Sequence, residues 1–320
     1  MSTTPHRRRI PGIRLLVLLA LVAAAIVVAI LVLGGDDDGL KKTDTIQVGA
    51  GPGALVVAEG SVWVANADGG TLTRVNADSK KVQGKPASVG AQPHYVASGE
   101  GSLWVTDGLS SRISRVDAQT GRLTKTIDGG RESTGVAVGG GGVWVADAFE
   151  GTVRRIDPQT NRVVGRPIKV GQRPESVVYG AGAVWVGNSG GSTVSRIDPN
   201  GNRVVETIRV GNAPSDVAFG EGGVWVANAS DQNVVLIDPA TNRLSGEPAD
   251  IGAVPGGMTV GEGAVWVANA SDSELQRIDP DERKITDTLS LVDRPTAVAV
   301  GEGAVWVAQF EHSTIVRVEP

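Results

Sequence analysis

The chain contains no cysteine, which excludes disulfides, thiolate zinc sites, thiol nucleophiles and a lipid-bearing cysteine. Phe and Tyr are scarce at 3 and 2, and His is limited to 3. Imidazole-based proton transfer therefore has few places to sit. No apolar stripe of 3.6-residue period runs through the chain, which argues against a helical solenoid. Basic charge is also short. Arg7, Arg8, Arg9 and Arg14 stand in the first 35 residues without an acid, leaving 26 basic against 35 acidic residues beyond them, a net of −9. A body that acidic repels phosphate backbones, so no nucleic-acid partner is expected.

What is present begins with Leu15 to Leu33, 19 apolar residues without a charge, about the ~20 that cross a bilayer as a helix. The arginines before it prefer the cytoplasm, which places everything after Asp36 outside. The alternative is a cleaved secretory signal and a secreted product. Such apolar regions usually run to roughly 7–15 residues, and Val32 and Gly34 make only a weak cleavage site. The expected organisation is a cytoplasmic basic arm at 1–14, a transmembrane helix at 15–33, a linker at 34–42 and a folded domain at 43–320.

That domain is a seven-fold repeat. Trp63, Trp104, Trp144, Trp185, Trp225, Trp266 and Trp306 are spaced by 41, 40, 41, 40, 41 and 40, and no Trp lies outside the series. Each sits in a phrase such as SVWVAN or AVWVAQ, with Pro (Ser133 in one copy) eleven residues before it. Each copy reads as four strands. Two are nearly continuous apolar runs, as in VAVG and VWVA, which suits burial on both faces. The third, as in TVSRID, alternates and ends in Asp-Pro-x-Thr-Asn, where Asp opens a turn and Asn tolerates left-handed backbone. The fourth, as in RVVETIRV, is the most polar and hence outermost. Four strands per period of about 40 residues with a Trp signature describe the blades of a β-propeller.

The last copy stops after its third strand, while Thr43 to Val48 matches a fourth strand such as Glu206 to Val210. The expected fold is therefore all-β: a monomeric seven-bladed propeller closed by its amino-terminal outer strand and preceded by one transmembrane helix. Trp is expected as the flat filler between neighbouring blades.

Repeats such as GNAPSDVAFGEGGVWVANASDQNVVLIDPATNRLSGEPADIG resemble the YVTN-type seven-bladed propellers of bacteria and archaea. They are also similar to the propeller of streptogramin (virginiamycin B) lyases. The likeness covers about residues 43–320 and lies in scaffold positions, so it speaks for fold more than for chemistry. The lyase resemblance implies a His general base and a Glu-held magnesium in the funnel. Here the Trp-Phe-Thr-Glu style phrase of those enzymes is replaced by Trp-Val-Ala-Asn, and only His94 and His312 stand in the repeats.

Ligands of a propeller usually meet the funnel formed by the loops around the Pro positions and the loops after VWVA. Residues there that break the repeat are the candidates: His94, Tyr95, Arg173, Glu175, Asp216 and Arg294 near the Pro positions, and Glu311 and His312 after the last Trp phrase. Glu311 offers an acid beside a possible base. A polar ring, Asn66, Asp107, Asp147, Asn188, Asn228, Asn269 and Gln309, follows each Trp by three residues. It suits either a cation or sugar, or turns in which the side chain bonds its own backbone. Gly187 to Gly191 matches G-x-S-x-G but joins two strands, unlike a nucleophile elbow. No cofactor is expected, and no metal-ligand set can be named. The expected role is a membrane-tethered extracytoplasmic binding or sensor module for a protein, glycan or cell-wall ligand. A metal-assisted lyase or hydrolase is the alternative, and a structural module that serves another subunit is a third reading.

Overall fold

The computed structural model describes residues 39–320; the expected membrane-spanning helix at 15–33 lies outside the described residues. Six repeats each form one antiparallel four-stranded sheet whose strands follow chain order from the inside out, and the seventh sheet takes its outer strand from the start of the domain. Blade one comprises β2 (Pro52–Ala58), β3 (Ser61–Asn66), β4 (Thr71–Asn76) and β5 (Lys81–Ser88). The VWVA strands are buried at every position, as their unbroken apolar run requires. The outer strands are exposed along most of their length. Short turns make these hairpins possible. In the Asp-Pro-x-Thr-Asn turns, Asp157 accepts the Gln159 and Thr160 amides, and Asn161 and Asn242 both take φ of 57°.

The ring closes as expected. The strand β1 (Lys41–Gln47) pairs antiparallel with β28 (Thr314–Glu319), completing the sheet of β27 (Ala304–Gln309) and β26 (Pro295–Gly301). The pairing sets Ile46 opposite Ile315 and Gln47 opposite Thr314. Gln47 Nε2 and the Val48 amide both donate to the Ser313 carbonyl, at 2.8 and 2.9 Å. The first strand begins two residues before the expected start at Thr43, because Lys41 and Lys42 also find partners on β28.

Seven apolar clusters hold the blades together, one per blade junction. Each is centred on the Trp of one blade pressed against the second strand of the next. Trp185, for instance, meets Val217, Val224 and Val226 of blade five, and Trp306 meets Leu55, Val62 and Val64 of blade one. All seven indoles are no more than 1% exposed. At ~25 cal/mol per Å2 and roughly 150–250 Å2 of aromatic surface, each contributes on the order of 4–6 kcal/mol of transfer free energy.

Polar contacts not foreseen from the sequence reinforce these junctions. In six blades the indole Nε1 donates to the Gly carbonyl five residues earlier, as from Trp144 to Gly139 at 2.9 Å. Arg74, Arg115, Arg155, Arg196 and Arg277 stand over the face of the Trp in their own blade. Arg155 and Arg196 then reach the next blade's turn, at Pro199 and Pro239 carbonyls and the side chains of Asn202 and Asn242.

Two outcomes follow. Trp185→Ala should lower stability by roughly 3–5 kcal/mol, since its cavity lies between two sheets that cannot both collapse; chemical denaturation reads the loss, and under ~1 kcal/mol would remove the indole from the junction. Deleting Lys41 to Gln47 should leave β28 as an unpaired edge. Unsatisfied buried groups cost about 1–3 kcal/mol each, so several approach the ~5–15 kcal/mol of a whole domain. A shortened chain that melts with the parent would show that β1 does not close the ring.

Candidate functional site

Seven inner strands converge on the axis of the ring. They are β2, β6 (Pro93–Gly99), β10 (Ser133–Gly139), β14 (Pro174–Gly180), β18 (Pro214–Gly220), β22 (Pro255–Gly261) and β26. Between them lies a cavity of about 700 Å3. Each inner strand starts at the loop face and runs away from it. Its second and third residues therefore form the mouth, and its fifth and sixth form the deep wall. The deep wall is apolar except for Ser98, Tyr179 and Thr259, with Val56, Ala97, Ala137, Val178 and Ala218 prominent. At its far end the strands crowd together. A Cβ on Gly139 would lie 2.2 Å from Tyr179, and one on Gly180 would lie 2.1 Å from Phe219. Glycine at these positions is what lets the neighbouring blade's side chain close in.

The mouth is polar on one side. His94 and Tyr95 occupy the second and third positions of β6, their rings edge to face at 4.9 Å. Asp216 stands at the third position of β18, where other blades carry Ala54, Gly135, Gly257 and Ala297. A backbone bulge follows the Pro in each of these strands and sets the direction of these side chains. Glu175 stands at the second position of β14, ion-paired with Arg173 at 3.6 Å and accepting from Ser189 Oγ at 2.9 Å.

The chemistry of each group follows from this enclosure. His94 is exposed to solvent at the mouth, but the walls beside it partly desolvate its imidazole and lower its pKa from the ordinary value, against the pull of Glu175 and Glu132. Burial likewise raises the Tyr95 hydroxyl, and the carboxylates of Asp216 and Glu175 raise it further. Asp216 is also raised by burial, opposed by three hydrogen bonds. Its Oδ1 accepts from Ser176 Oγ at 2.7 Å and from the Val217 amide at 2.9 Å, and its Oδ2 accepts from the Met258 amide at 2.9 Å. It thus ties the inner strands of blades four, five and six at the mouth. Asp216, expected as a funnel candidate in the loops around the Pro positions, is a half-buried strand residue that staples three blades.

The candidates therefore divide. His94, Tyr95 and Asp216 line the cavity, with Glu175 beside them and Arg173 on the rim. Arg294, Glu311 and His312 are exposed on the blade-seven rim and do not line it. His312 does not pair with Glu311. Its Nδ1 lies 3.0 Å from Asp293 Oδ2, which also accepts the His312 amide at 2.7 Å. Burial would raise Asp293, but the His312 amide and ring and the Arg294 amide together hold its carboxyl low. Neither Asp293 nor Ser176 was singled out in the sequence, and only their departure from the repeat marked them.

The polar ring after each Trp is wholly buried, which removes the cation or sugar reading. Its members fasten the loops instead. Asp107 accepts the amides of Ala91, Gln92, Leu109 and Ser110, and Asn188 bonds the Gly171 amide, Thr193 and Ser195. Nor do the mouth residues suit a Glu-held magnesium. Glu175 is engaged through Oε1 alone, by Arg173 and Ser189, but among the described residues no group of three or more His, Asp or Glu could hold a metal.

Fold and site together define a closed seven-bladed propeller with a central, one-sidedly polar funnel. Its likeness to solved structures is extensive. A streptogramin B lyase structure superposes with a TM-score of 0.76 at 16% identity, covering 88% of this chain and 98% of that one. The virginiamycin B lyase of Staphylococcus aureus gives 0.75 at 16%, with 88% and 99% covered. The Kuenenia stuttgartiensis hydrazine synthase gives 0.73 at 19%, with 88% and 97% covered. At such identities the likeness is one of fold. No family model matches the sequence, and no curated protein matches it.

The environment of His94 yields a signed prediction. Its imidazole should titrate below the ordinary ~6.5, followed by NMR of the ring. Glu175→Gln removes a negative neighbour that favours the imidazolium, so the midpoint should fall further. A midpoint that rises, or stays fixed, would place Glu175 out of reach of the ring.

Proposed function

We propose that this chain is a membrane-tethered, extracytoplasmic binding or sensor module of the YVTN-repeat kind. It engages an extracellular protein, glycan or cell-wall ligand through its funnel. The observation that carries this reading is the central cavity, whose mouth gathers side chains that no repeat position explains: His94, Tyr95, Glu175 and Asp216. A concave, mostly apolar wall with a few converging polar groups is how ligand sites are built. The apolar run at 15–33 and the arginines before it support the tether and the outward-facing domain. Around the mouth, exposed Leu109 and Phe149 add apolar surface for a larger partner, with Arg131 stacked over Phe149 at 3.7 Å.

A second reading is a metal-assisted lyase or hydrolase. The fold likeness favours it, as does an imidazole whose pKa is lowered, the state in which it accepts a proton. It needs a metal-binding set that the described residues do not assemble.

Capture from native membranes with the full-length tagged chain discriminates. A partner should be retained by the parent and by Asp281→Ala, a change in a turn on the opposite face. It should be lost with His94→Ala, Tyr95→Ala or Glu175→Ala. If these funnel variants capture as much as the parent, the funnel is not the binding face.

A further inference from the structure

The cavity is ordered along its length in a way that general binding does not require. Its deep wall is mostly Val and Ala, broken by Ser98, Tyr179, Phe219 and Thr259, while every charged group near it stands at the mouth. Among the described residues Asp216 is the one carboxylate that lines the cavity, while Arg294 stands exposed on the rim outside it. Glu132, Glu175 and Asp216 face or flank His94 and Tyr95, and among the described residues no Lys or Arg lines the cavity. The nearby cation, Arg173, is two-thirds exposed and already paired with Glu175. Tyr95 has no hydrogen-bond partner for its hydroxyl among the described residues, although the ring is half-buried and faces two carboxylates. An unpaired phenol in such a place leaves both a donor and an acceptor for something else. The volume, about 700 Å3, falls within the range of small-molecule sites.

We infer that the cavity receives a small amphiphilic amine, its apolar tail inserted along the mostly Val and Ala wall and its ammonium held at the mouth by Asp216, Glu175 Oε2 and the Tyr95 hydroxyl. The inference rests on the binding reading of the funnel and names the ligand class. The order of the wall fixes the direction of insertion. A tail entering first leaves water for an apolar surface, and the head stops where acceptors are available and where hydration is only partly lost. The reverse orientation would bury an ammonium beside Val178 and Ala218, with no carboxylate to meet it. An anionic head would face Asp216, with Glu175 beside it. Asp216 contributes charge without needing to move, because its three hydrogen bonds already fix its position.

The test uses the full chain in lipid nanodiscs, with empty nanodiscs to subtract partition into lipid. Three probes share one tail: para-fluorophenylbutylamine, para-fluorophenylbutanol and para-fluorophenylbutyrate, followed by fluorine NMR. The amine should bind saturably and at least roughly tenfold more tightly than the butyrate, since charge-assisted hydrogen bonds are the stronger kind. Glu175→Gln should weaken the amine several-fold and leave the butanol unchanged. Thr259→Phe and Ser98→Phe, which fill the deep wall, should abolish binding of all three in proteins that melt like the parent. Where either fails to fold, the amine-to-butyrate ratio in the unaltered chain decides. An amine that binds no better than the butyrate, or that still binds the filled variants, overturns the inference. If the amine fails while membrane capture remains sensitive to the funnel variants, the binding reading stands and this ligand class falls.

Discussion

One contact recurs seven times and the rest of the molecule is arranged around it: an indole flattened between its own blade and the next. A sheet with one buried face can stack on another, but a ring needs wedge-shaped spacing that is the same at every junction. Trp supplies this because it is large, flat and rigid, and because its polar edge can be tied down. In six of seven blades that edge donates to a Gly carbonyl five residues back, so the ring cannot rotate in its slot. The constancy of the 40- and 41-residue spacing is the sequence record of this demand. The arginine eleven residues after most of the tryptophans belongs to the same device. It covers the indole face and, in blades one to four, reaches the next blade's turn. Blade five has Leu236 at that position and does without the bridge.

The cavity is a consequence of the same spacing. Seven sheets held at fixed angles cannot bring all their inner strands into contact, and a gap remains on the axis. Its width at the far end is set by which side chains the strands carry there. The Gly at the end of six of the inner strands admits the next blade's Val, Tyr or Phe and so narrows the channel. At the mouth the small residues Ala54, Gly135, Gly257 and Ala297 keep the axis open and leave Tyr95 and Asp216 to project alone. The repeat therefore builds the container, and departures from the repeat furnish it. A β-propeller can change ligands by altering a handful of mouth residues without disturbing a single blade junction.

This division explains what could be read from the sequence. Strand count, blade order and ring closure follow from periodicity, and periodicity is written in the chain. So is the inter-blade place of each Trp. The gathering of His94, Tyr95, Glu175 and Asp216 was legible only in part, as a set of departures from the repeat near one face. Which of them meet depends on the angle between blades and on the bulge after each Pro, neither of which a sequence pattern specifies. Arg294, Glu311 and His312 break the repeat just as visibly, yet they stand outside the cavity on the rim. The partner of His312 was misjudged for a related reason. Glu311 is its neighbour in sequence, but Asp293, nineteen residues earlier, shares its loop cluster in space. The buried polar ring shows the same limit in reverse: its recurrence after every Trp is written in the chain, while its complete burial could only be seen in three dimensions.

Asp216 illustrates how scaffold and site constrain each other at the mouth. A carboxylate held inside a protein is disfavoured by lost hydration, and its raised pKa records that cost. Three donors from blades four, five and six offset it, so the group is kept in place rather than neutralised by a neighbouring cation. Had an arginine been its partner, the mouth would have carried no net charge and no preference for the sign of a ligand. With amide and hydroxyl donors instead, the negative potential still faces the funnel while the blades are joined. The single-sided polarity of the cavity thus arises from a structural requirement, the joining of three inner strands, met with a residue whose charge the hydrogen bonds leave uncancelled.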